Sequence, residues 1–479
     1  MTKNKKFYIT TSIAYTNTPP HIGYALELIQ ADVLARYHRI LGKKVFFLTG
    51  TDEHGQKVVK AAEEAEKEPK EFTDKITARF KLLTKVLNLS NTDFIRTTDE
   101  KRHWPVAREV WLKLKENGDI YKKNYKGLYC VGCEAFITKK DLINGKCKIH
   151  QKEPEVVEEE NYFFRLSKYS KQIKEIIKKD NVKIIPEERK NEMLNFVSQG
   201  LEDVSFSRPR KDLKWGIPVP DDNSQTIYVW ADALINYISA LDYPNGENFK
   251  KYWPADVHCL GKDILRFHST IWLGMLLSLG LELPKNIFVH GFITSNGQKM
   301  SKSLGNVIDP FELVKKYGTD AVRYFLLREI TPTEDGDFTY EKFEARYNSD
   351  LASGLGNLVA RVLTLATKLK IKNEKFKITN QNLKSIIDET WKNYKKALDE
   401  FKFNEVLISI WELISVCDRY IEKERPWEKS EKQQLTINNL LFTIDNIAQL
   451  LKPFLPETSE KVLEQFKTKK IKILFPRLK

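Results

Sequence analysis

The first fifty residues constrain the fold more than any other stretch. FYITTSIAY (Phe7 to Tyr15) has the β-branched and aromatic content of a buried strand. The turn TNTPP follows, and then Leu26, Ile29, Val33, Tyr37 and Ile40 recur at helical spacing. VFFLTG (Val45 to Gly50) is a second apolar strand. Strand, loop, helix, strand is the unit of a parallel sheet that collects its ligands at the carboxyl ends of the strands. Short strands return in TIYVW (Thr226 to Trp230), DVHCLG (Asp256 to Gly261) and NIFVHGF (Asn286 to Phe292), so the sheet is expected in two halves.

Between the halves lies a stretch of different character, residues 116–200, with three of the five cysteines and the acidic run EPEVVEEE. It reads as an inserted domain. From Leu351 strand signals largely stop, and LASGLGNLVARVLTLATKL and FNEVLISIWELISVCDRYIEKE carry helical periodicity, which predicts a helical bundle. No internal repeat is visible. The expected division is 1–115 and 201–295 for the two halves of the sheet domain, 116–200 for the insertion, 296–350 for a connecting region and 351–479 for the bundle.

Composition bounds what such a chain does. A length of 479 residues exceeds what one core organises. No run of 18 apolar residues suggests a membrane span, and the basic start leads into a strand rather than a signal peptide. Five cysteines in this length exclude a disulfide scaffold and fit a reducing compartment, so an intracellular protein is expected. The net charge is +14, and 24 Lys or Arg against 16 Asp or Glu put +8 of it in residues 351–479. A polyanion gripped by that region is one reading; a Lys-rich solvated surface is the other.

Three constellations carry chemistry. Pro20-His21-Ile22-Gly23 opens the first helix, where backbone N–H groups and a positive dipole end face an anion, a histidine can donate to a phosphate, and Gly23 lets a ligand lie against the backbone. Lys299-Met300-Ser301-Lys302-Ser303, after the turn Asn296-Gly297, makes a basic loop able to close on polyphosphate. Cys130-x2-Cys133 and Cys147-x2-His150 place two ligand pairs on tight turns, the closed Cys3His geometry of one structural zinc. Cys259 and Cys417 are read as buried small hydrophobes.

Taken with the segments IAYTNTPPHIGYALELIQADVLARYHR, FLTGTDEHG, GLYCVGCEAFI, YVWADALINYISALDYP, GKDILRFHSTIW, VHGFITSNGQKMSKSLGNVIDP and GNLVARV, these motifs make the chain resemble the class I aminoacyl-tRNA synthetases, and among them the methionyl-tRNA synthetase family. The resemblance covers nearly the whole chain and implies a Rossmann-like parallel-sheet α/β catalytic domain with a zinc-bearing insertion, followed by an α-helical bundle that binds the anticodon. It implies ATP with magnesium, L-methionine and tRNA(Met) as partners, and a ligase that makes methionyl-adenylate and passes the methionyl group to tRNA. A thioether offers almost nothing to hydrogen-bond, so its selection needs an apolar and aromatic pocket. The resemblance puts Ile13, Tyr15, Trp230, Leu234, Tyr237, Phe267, His268 and Trp272 there; proline can stand in the family where this chain has Leu234. Asp52, at the end of the second strand, is the candidate for the substrate ammonium, and Arg208 for the polar end of the amino acid. His21, Lys299 and Lys302 are the implied catalytic residues, with Gly23, Tyr24 and Ser301 completing the ATP site.

Tyr24 departs from the family, whose signature usually ends in a second histidine; its hydroxyl is expected to take over a hydrogen bond to the nucleotide. In the bundle, Asn357 and Arg361 share a helix face, Trp427 supplies a stacking surface, and the resemblance maps all three to the anticodon. Leucine, isoleucine and valine relatives normally carry a large editing insertion, which 116–200 is too short to be, and the cysteine relative would want zinc in its catalytic pocket. A non-catalytic tRNA-binding relative is the alternative from another class; the intact lysine loop and Asp52 argue against it. The chain ends soon after the bundle, without room for the extension by which some relatives dimerise, so a cytoplasmic monomer is expected.

Overall fold

The computed structural model describes residues 5–132, 134–137, 142–148, 151–300, 304–371, 377–468 and 470–479. The chain forms two compact units. The first comprises Met1–Pro20, His38–Thr84 and Ser90–His290, and the second comprises His21–Tyr37, Lys85–Leu89 and Gly291–Lys479.

The first unit is built on an all-parallel seven-stranded sheet of β1 (Lys6–Thr11), β2 (Ala14–Tyr15), β3 (Lys44–Asp52), β4 (Asp93–Arg96), β5 (Lys183–Ile185), β6 (Val257–Gly261) and β7 (Asn286–His290). The order is β5-β7-β6-β1-β3-β2, with β4 also on β3. Chain order reverses between β6 and β1, and at such a switch point the carboxyl ends of the strands open a crevice for ligands. The expected single strand Phe7 to Tyr15 is broken after Thr11, where the ladder to β6 ends with the Ser12 N–H donating to the Cys259 carbonyl at 2.9 Å, and pairing to β3 resumes at Ala14. Apolar residues of the sheet join helix His103–Glu116 and segment 227–241 in one continuous core around Trp272, Tyr237 and Phe206.

Two expectations need correction here. TIYVW does not continue the parallel sheet. Asp222–Ile227 runs antiparallel to Ser207–Pro209 and Pro218–Val219, and Val229–Ala233 is already helical. Nor is 116–200 a separate insertion throughout, because Lys183–Ile185, flanked by helices Ser170–Lys178 and Glu187–Ser198, joins the main sheet as β5. The polar repeat KKDNVK masks that strand in the sequence. The inserted module proper is the long antiparallel pair Ile120–Cys130 and Glu155–Phe164 with the short strands at its tip.

The second unit contains most of α1 (Ile22–Ile40), a three-stranded sheet of Ile293–Ser295, Gln298–Lys299 and Gly336–Phe338, the helices Pro310–Tyr317, Thr319–Arg328 and Tyr340–Arg346, and the bundle helices α2 (Asn357–Lys368), α3 (Gln381–Asp399), α4 (Phe403–Glu424), α5 (Gln433–Leu451) and α6 (Pro456–Thr468). The helical periodicity expected from Leu351 onward is present, led in by a π-helical stretch Tyr347–Gly356. At its centre Arg323 is fully buried; it donates to the carbonyls of Phe454, Leu87 and Pro453 at 2.7, 3.1 and 2.9 Å and pairs with Asp32 of α1 at 2.8 Å. Region 296–350 therefore shares a unit with the bundle and with the start of α1. Among the described residues no helix is long and apolar enough to cross a membrane.

Candidate active site

In the first unit the parallel register sets Tyr15 beside Asp52 at the carboxyl end of β3. The Asp52 backbone carbonyl ties the two strands by accepting from the N–H and Oγ1 of Thr16 at 3.0 and 3.1 Å. The Asp52 side chain is only 9% exposed, and its Oδ1 is buried with no hydrogen-bond partner. Burial pushes its carboxyl well above the ordinary value, and Asp232 and Glu134 push it further. The Tyr15 hydroxyl is also buried without an aligned partner. Burial raises its pKa, with the Glu134 and Asp52 charges adding to the effect. An orphaned carboxylate oxygen in a protein interior is costly unless a ligand completes it, and beside it the Tyr15 hydroxyl lies against the Glu134 carboxylate.

Aromatic residues form the neighbouring wall. Trp230 and Phe267, both half-buried, stack with centroids 3.8 Å apart and planes 8° from parallel. Tyr237 lies against His258 and Trp272, with centroids at 4.3 and 5.7 Å. The polar groups of this wall satisfy one another. His268 Nδ1 donates to the Ile264 carbonyl at 3.0 Å, leaving Nε2 to accept from the Tyr237 hydroxyl at 2.7 Å. Burial pulls the His268 pKa down to about 4, so the ring stays neutral. Trp272 Nε1 donates to His258 Nε2 at 3.3 Å. With donors and acceptors paired among themselves, the wall suits an apolar, polarisable group. His268 to Trp272 form a π-helical turn, a distortion frequent at functional sites. Leu234 and Trp272 are buried in the same core, and Ile13 packs against it half-buried.

Arg208 sits elsewhere in its chemistry. Its guanidinium pairs with Glu159 at 2.7 Å and stacks over Tyr129 at 4.1 Å, which ties it to the inserted module.

The sequence analysis passed over four polar residues of this unit. Asp232 is fully buried between two histidines, 2.6 Å from His54 Nδ1 and 2.6 Å from His103 Nε2, and His103 Nδ1 meets Ser239 Oγ at 2.8 Å. Burial alone would raise the Asp232 carboxyl; the two histidines hold it below its ordinary value. Glu134, buried beside Tyr15, is the fourth. A charged residue inside an apolar run, as in VWADALI, is the signal that could have found Asp232. His54 and Glu134 are masked by the better-known residues next to them in TDEHG and CVGCEAF.

In the second unit His21 precedes α1, but its surroundings differ from expectation. The first N–H groups of α1 are not free. Ile22 donates to the Ile308 carbonyl at 3.1 Å, Gly23 to His21 Nδ1 at 3.1 Å, and Tyr24 and Ala25 to the His21 carbonyl at 3.1 and 3.2 Å. Gly23 leaves room for the His21 ring, since a Cβ there would lie 2.9 Å from His21 Cε1 and 3.0 Å from Nδ1. With Nδ1 accepting, the donor proton of the ring sits on Nε2. Tyr24 is half-buried in the same turn.

Asn296 and Gly297, with φ of 52° and 72°, make the tight hairpin turn that the Asn-Gly pair predicts. Asp337 fixes it by accepting from the Gly297 N–H and the Thr294 hydroxyl, both at 2.7 Å. Lys299 leaves this hairpin with its side chain exposed, and its carbonyl accepts from Asn306 Nδ2 at 3.2 Å. Ser301, Lys302 and Ser303 lie outside the described residues.

Of the expected zinc ligands, Cys130 and Cys147 are both buried in one small cluster with Ile137, against which Leu128 and Leu142 pack. Cys133 and His150 lie outside the described residues, among which no group of three metal-ligating side chains occurs. The two described thiols fit a shared site, since Cys130 at the end of the long strand Ile120–Cys130 and Cys147 on the short strand Lys146–Cys147 meet in one core.

On the helical bundle Asn357 is exposed at the start of α2. Arg361, one turn on, pairs with Glu422 at 2.7 Å and Asp418 at 3.9 Å on α4. Arg425 turns left-handed to end α4, and Trp427 follows it 45% exposed.

Comparison with known proteins agrees with this arrangement. The family model described as tRNA synthetases class I (M) matches residues 7–141 and 137–363, and that of the anticodon-binding domain of tRNA ligase matches 380–477. The methionine–tRNA ligase of Thermotoga maritima is 46% identical over 477 residues, 96% of this chain and 75% of the relative. That of Nostoc is 44% identical over 96% of this chain and 90% of its own length. The structure of Mycobacterium tuberculosis methionyl-tRNA synthetase in complex with methionyl-adenylate is similar with a TM-score of 0.92 and 36% identity, covering 99% of this chain and 100% of that one. The chain belongs to the methionyl-tRNA synthetase family of class I tRNA synthetases.

Proposed function

We infer that this chain is a methionine–tRNA ligase, which activates L-methionine with ATP and transfers the methionyl group to the 3′ end of tRNA(Met). The observation that carries the reading is the pairing of a buried, partnerless Asp52 oxygen with a self-satisfied aromatic wall. The carboxylate suits an ammonium, and the wall of Ile13, Tyr15, Trp230, Leu234, Tyr237, Phe267, His268 and Trp272 suits a thioether side chain. Arg208 acts in this reading through Tyr129 and Glu159.

In the first step a methionine carboxylate oxygen attacks the ATP α-phosphorus, the bond to the β-phosphate oxygen breaks, and pyrophosphate leaves. Magnesium bound with ATP would supply charge neutralisation at the triphosphate. His21 donates from Nε2 to a phosphate oxygen, and Lys299 and Lys302 balance charge on the leaving pyrophosphate, with Gly23, Tyr24 and Ser301 lining the nucleotide. In the second step a terminal ribose hydroxyl attacks the methionyl carbonyl and AMP leaves. Asn357, Arg361 and Trp427 meet the anticodon. Cys130, Cys133, Cys147 and His150 hold one structural zinc that fixes the tip of the inserted module. A cytoplasmic monomer completes the proposal; sedimentation at micromolar concentration reads the oligomeric state.

Pyrophosphate exchange with a panel of amino acids tests the function. Methionine is expected to support exchange, and leucine, isoleucine, valine and cysteine are not. Preferred exchange with any of those four would assign the chain a different substrate.

A further inference from the structure

Helix Gln56–Glu64 begins directly after TDEHG, and its N-cap is Gly55, which has no side chain to cap with. The missing cap comes from a distant part of the chain. Glu134 Oε1 accepts from the Lys57 N–H at 2.5 Å, a carboxylate placed where orphan N–H groups and the positive end of the helix favour it. The same carboxylate faces Tyr15. A Cβ at position 55 would lie 2.4 Å from Glu134 Oε2 and 2.4 Å from the Tyr15 hydroxyl, so both oxygens occupy a slot that only glycine leaves open. The backbone of Glu134 is anchored as well, because the Tyr228 hydroxyl donates to its carbonyl at 2.5 Å, one residue before the helix that carries Trp230. Glu134 itself is buried, adopts a left-handed φ of 47°, and belongs to the inserted module one residue after Cys133.

We propose that Glu134 is a positioning residue for methionine, holding three edges of the amino-acid site in register from the inserted module: the Tyr15 ring, the helix that follows Asp52, and the backbone leading to Trp230. The proposal rests on the reading of this site as the methionine pocket. It makes methionine affinity depend on the geometry of a side chain in the zinc-bearing module, beyond the folding of that module. The role is one of reach rather than charge, since the bond to Lys57 is to a backbone N–H and an amide oxygen accepts it equally in kind.

The test is methionine-dependent pyrophosphate exchange by Glu134→Gln, Glu134→Asp and Glu134→Ala, with zinc content and melting temperature measured for each. Gln keeps the length and the acceptor, and its KM for methionine is expected within about threefold of the parent. Asp keeps the charge but withdraws the oxygen by one methylene. For Asp and Ala the KM for methionine is expected to rise about tenfold and the melting temperature to fall by a few degrees for the lost cap, with KM for ATP and zinc content unchanged. If Ala does not fold, the order of Gln and Asp decides. Asp behaving like the parent while Gln loses affinity would overturn the proposal, as would equal rises in both KM values or loss of zinc. Failure of the parent protein to exchange with methionine would instead reject the functional reading and leave the cap itself intact.

Discussion

Asp52, the proposed partner of the substrate ammonium, carries a buried carboxyl whose pH dependence can be predicted. Its proton is held more tightly in the folded protein than in the unfolded chain, mainly through burial and then through Asp232 and Glu134. The contribution to folding is therefore full below the unfolded value of about 3.9 and is lost as pH rises through the elevated folded value. An ammonium ligand reverses the preference, because it favours the carboxylate. Asp52→Asn is expected to melt at or above the parent temperature at pH 7.5, while kcat/KM for methionine falls by about 2–4 kcal/mol in transition-state terms. The parent should show kcat/KM for methionine rising with pH through a value above the ordinary carboxylate range, and the Asn variant should lack that rise. A variant that is both less stable and unchanged toward methionine would place Asp52 among ordinary structural carboxylates. Sequence alone could nominate Asp52, since it ends an apolar strand. It could not reveal His54, His103, Asp232 and Glu134, because buried polar residues are recognised by their partners, and those partners are 129, 178 and 77 positions away.

At the scale of elements, what was legible depended on periodicity. FNEVLISIWELISVCDRYIEKE became α4 over its whole length because its apolar residues return every third or fourth position. The strand Lys183–Ile185 and the break after Thr11 were illegible, since three residues carry no period and a gap between two strands on the same neighbour leaves no mark in residue type. Two elements make separable stability claims. Arg323 joins α1 to the α5–α6 connection through four buried bonds, so Arg323→Ala should cost about 3–5 kcal/mol in urea denaturation. Lys should not rescue it, as a single ammonium cannot reproduce the guanidinium fork. A loss below 1 kcal/mol for Ala would mean that Asp32, still paired with Arg36 at 2.7 Å, bears the load alone. Among the described residues the tip of the inserted module has a core of Cys130, Ile137 and Cys147 with two packed partners, a small core for which a metal staple would add stability. Cys147→Ser is expected to lose one zinc per chain and to unfold that module first, read by elemental analysis and proteolysis. Protein purified without chelator and containing no zinc would remove the metal from the proposal.

For the whole molecule, the proposal separates two tasks by region. In that proposal the aromatic wall and Asp52 would serve activation, which needs no RNA, and the exposed Asn357 and Trp427 with the half-buried Arg361 would serve tRNA. Trp427→Ala should weaken charging by about 1–3 kcal/mol, the worth of one stacking platform, and leave methionine-dependent pyrophosphate exchange untouched. An equal fall in both activities would make Trp427 a residue of the fold. The salt bridges of Arg361 to Glu422 and Asp418 add a cost to RNA binding, since bases or phosphates must compete with two carboxylates. The most direct measurement of the central claim is charging of tRNA(Met) by the intact chain with radiolabelled methionine and ATP, followed to its plateau. The expected result is stoichiometric methionyl-tRNA formed with one AMP and one pyrophosphate released per methionine. ATP consumption that yields no methionyl-tRNA, or a plateau reached with another amino acid in preference to methionine, would contradict it.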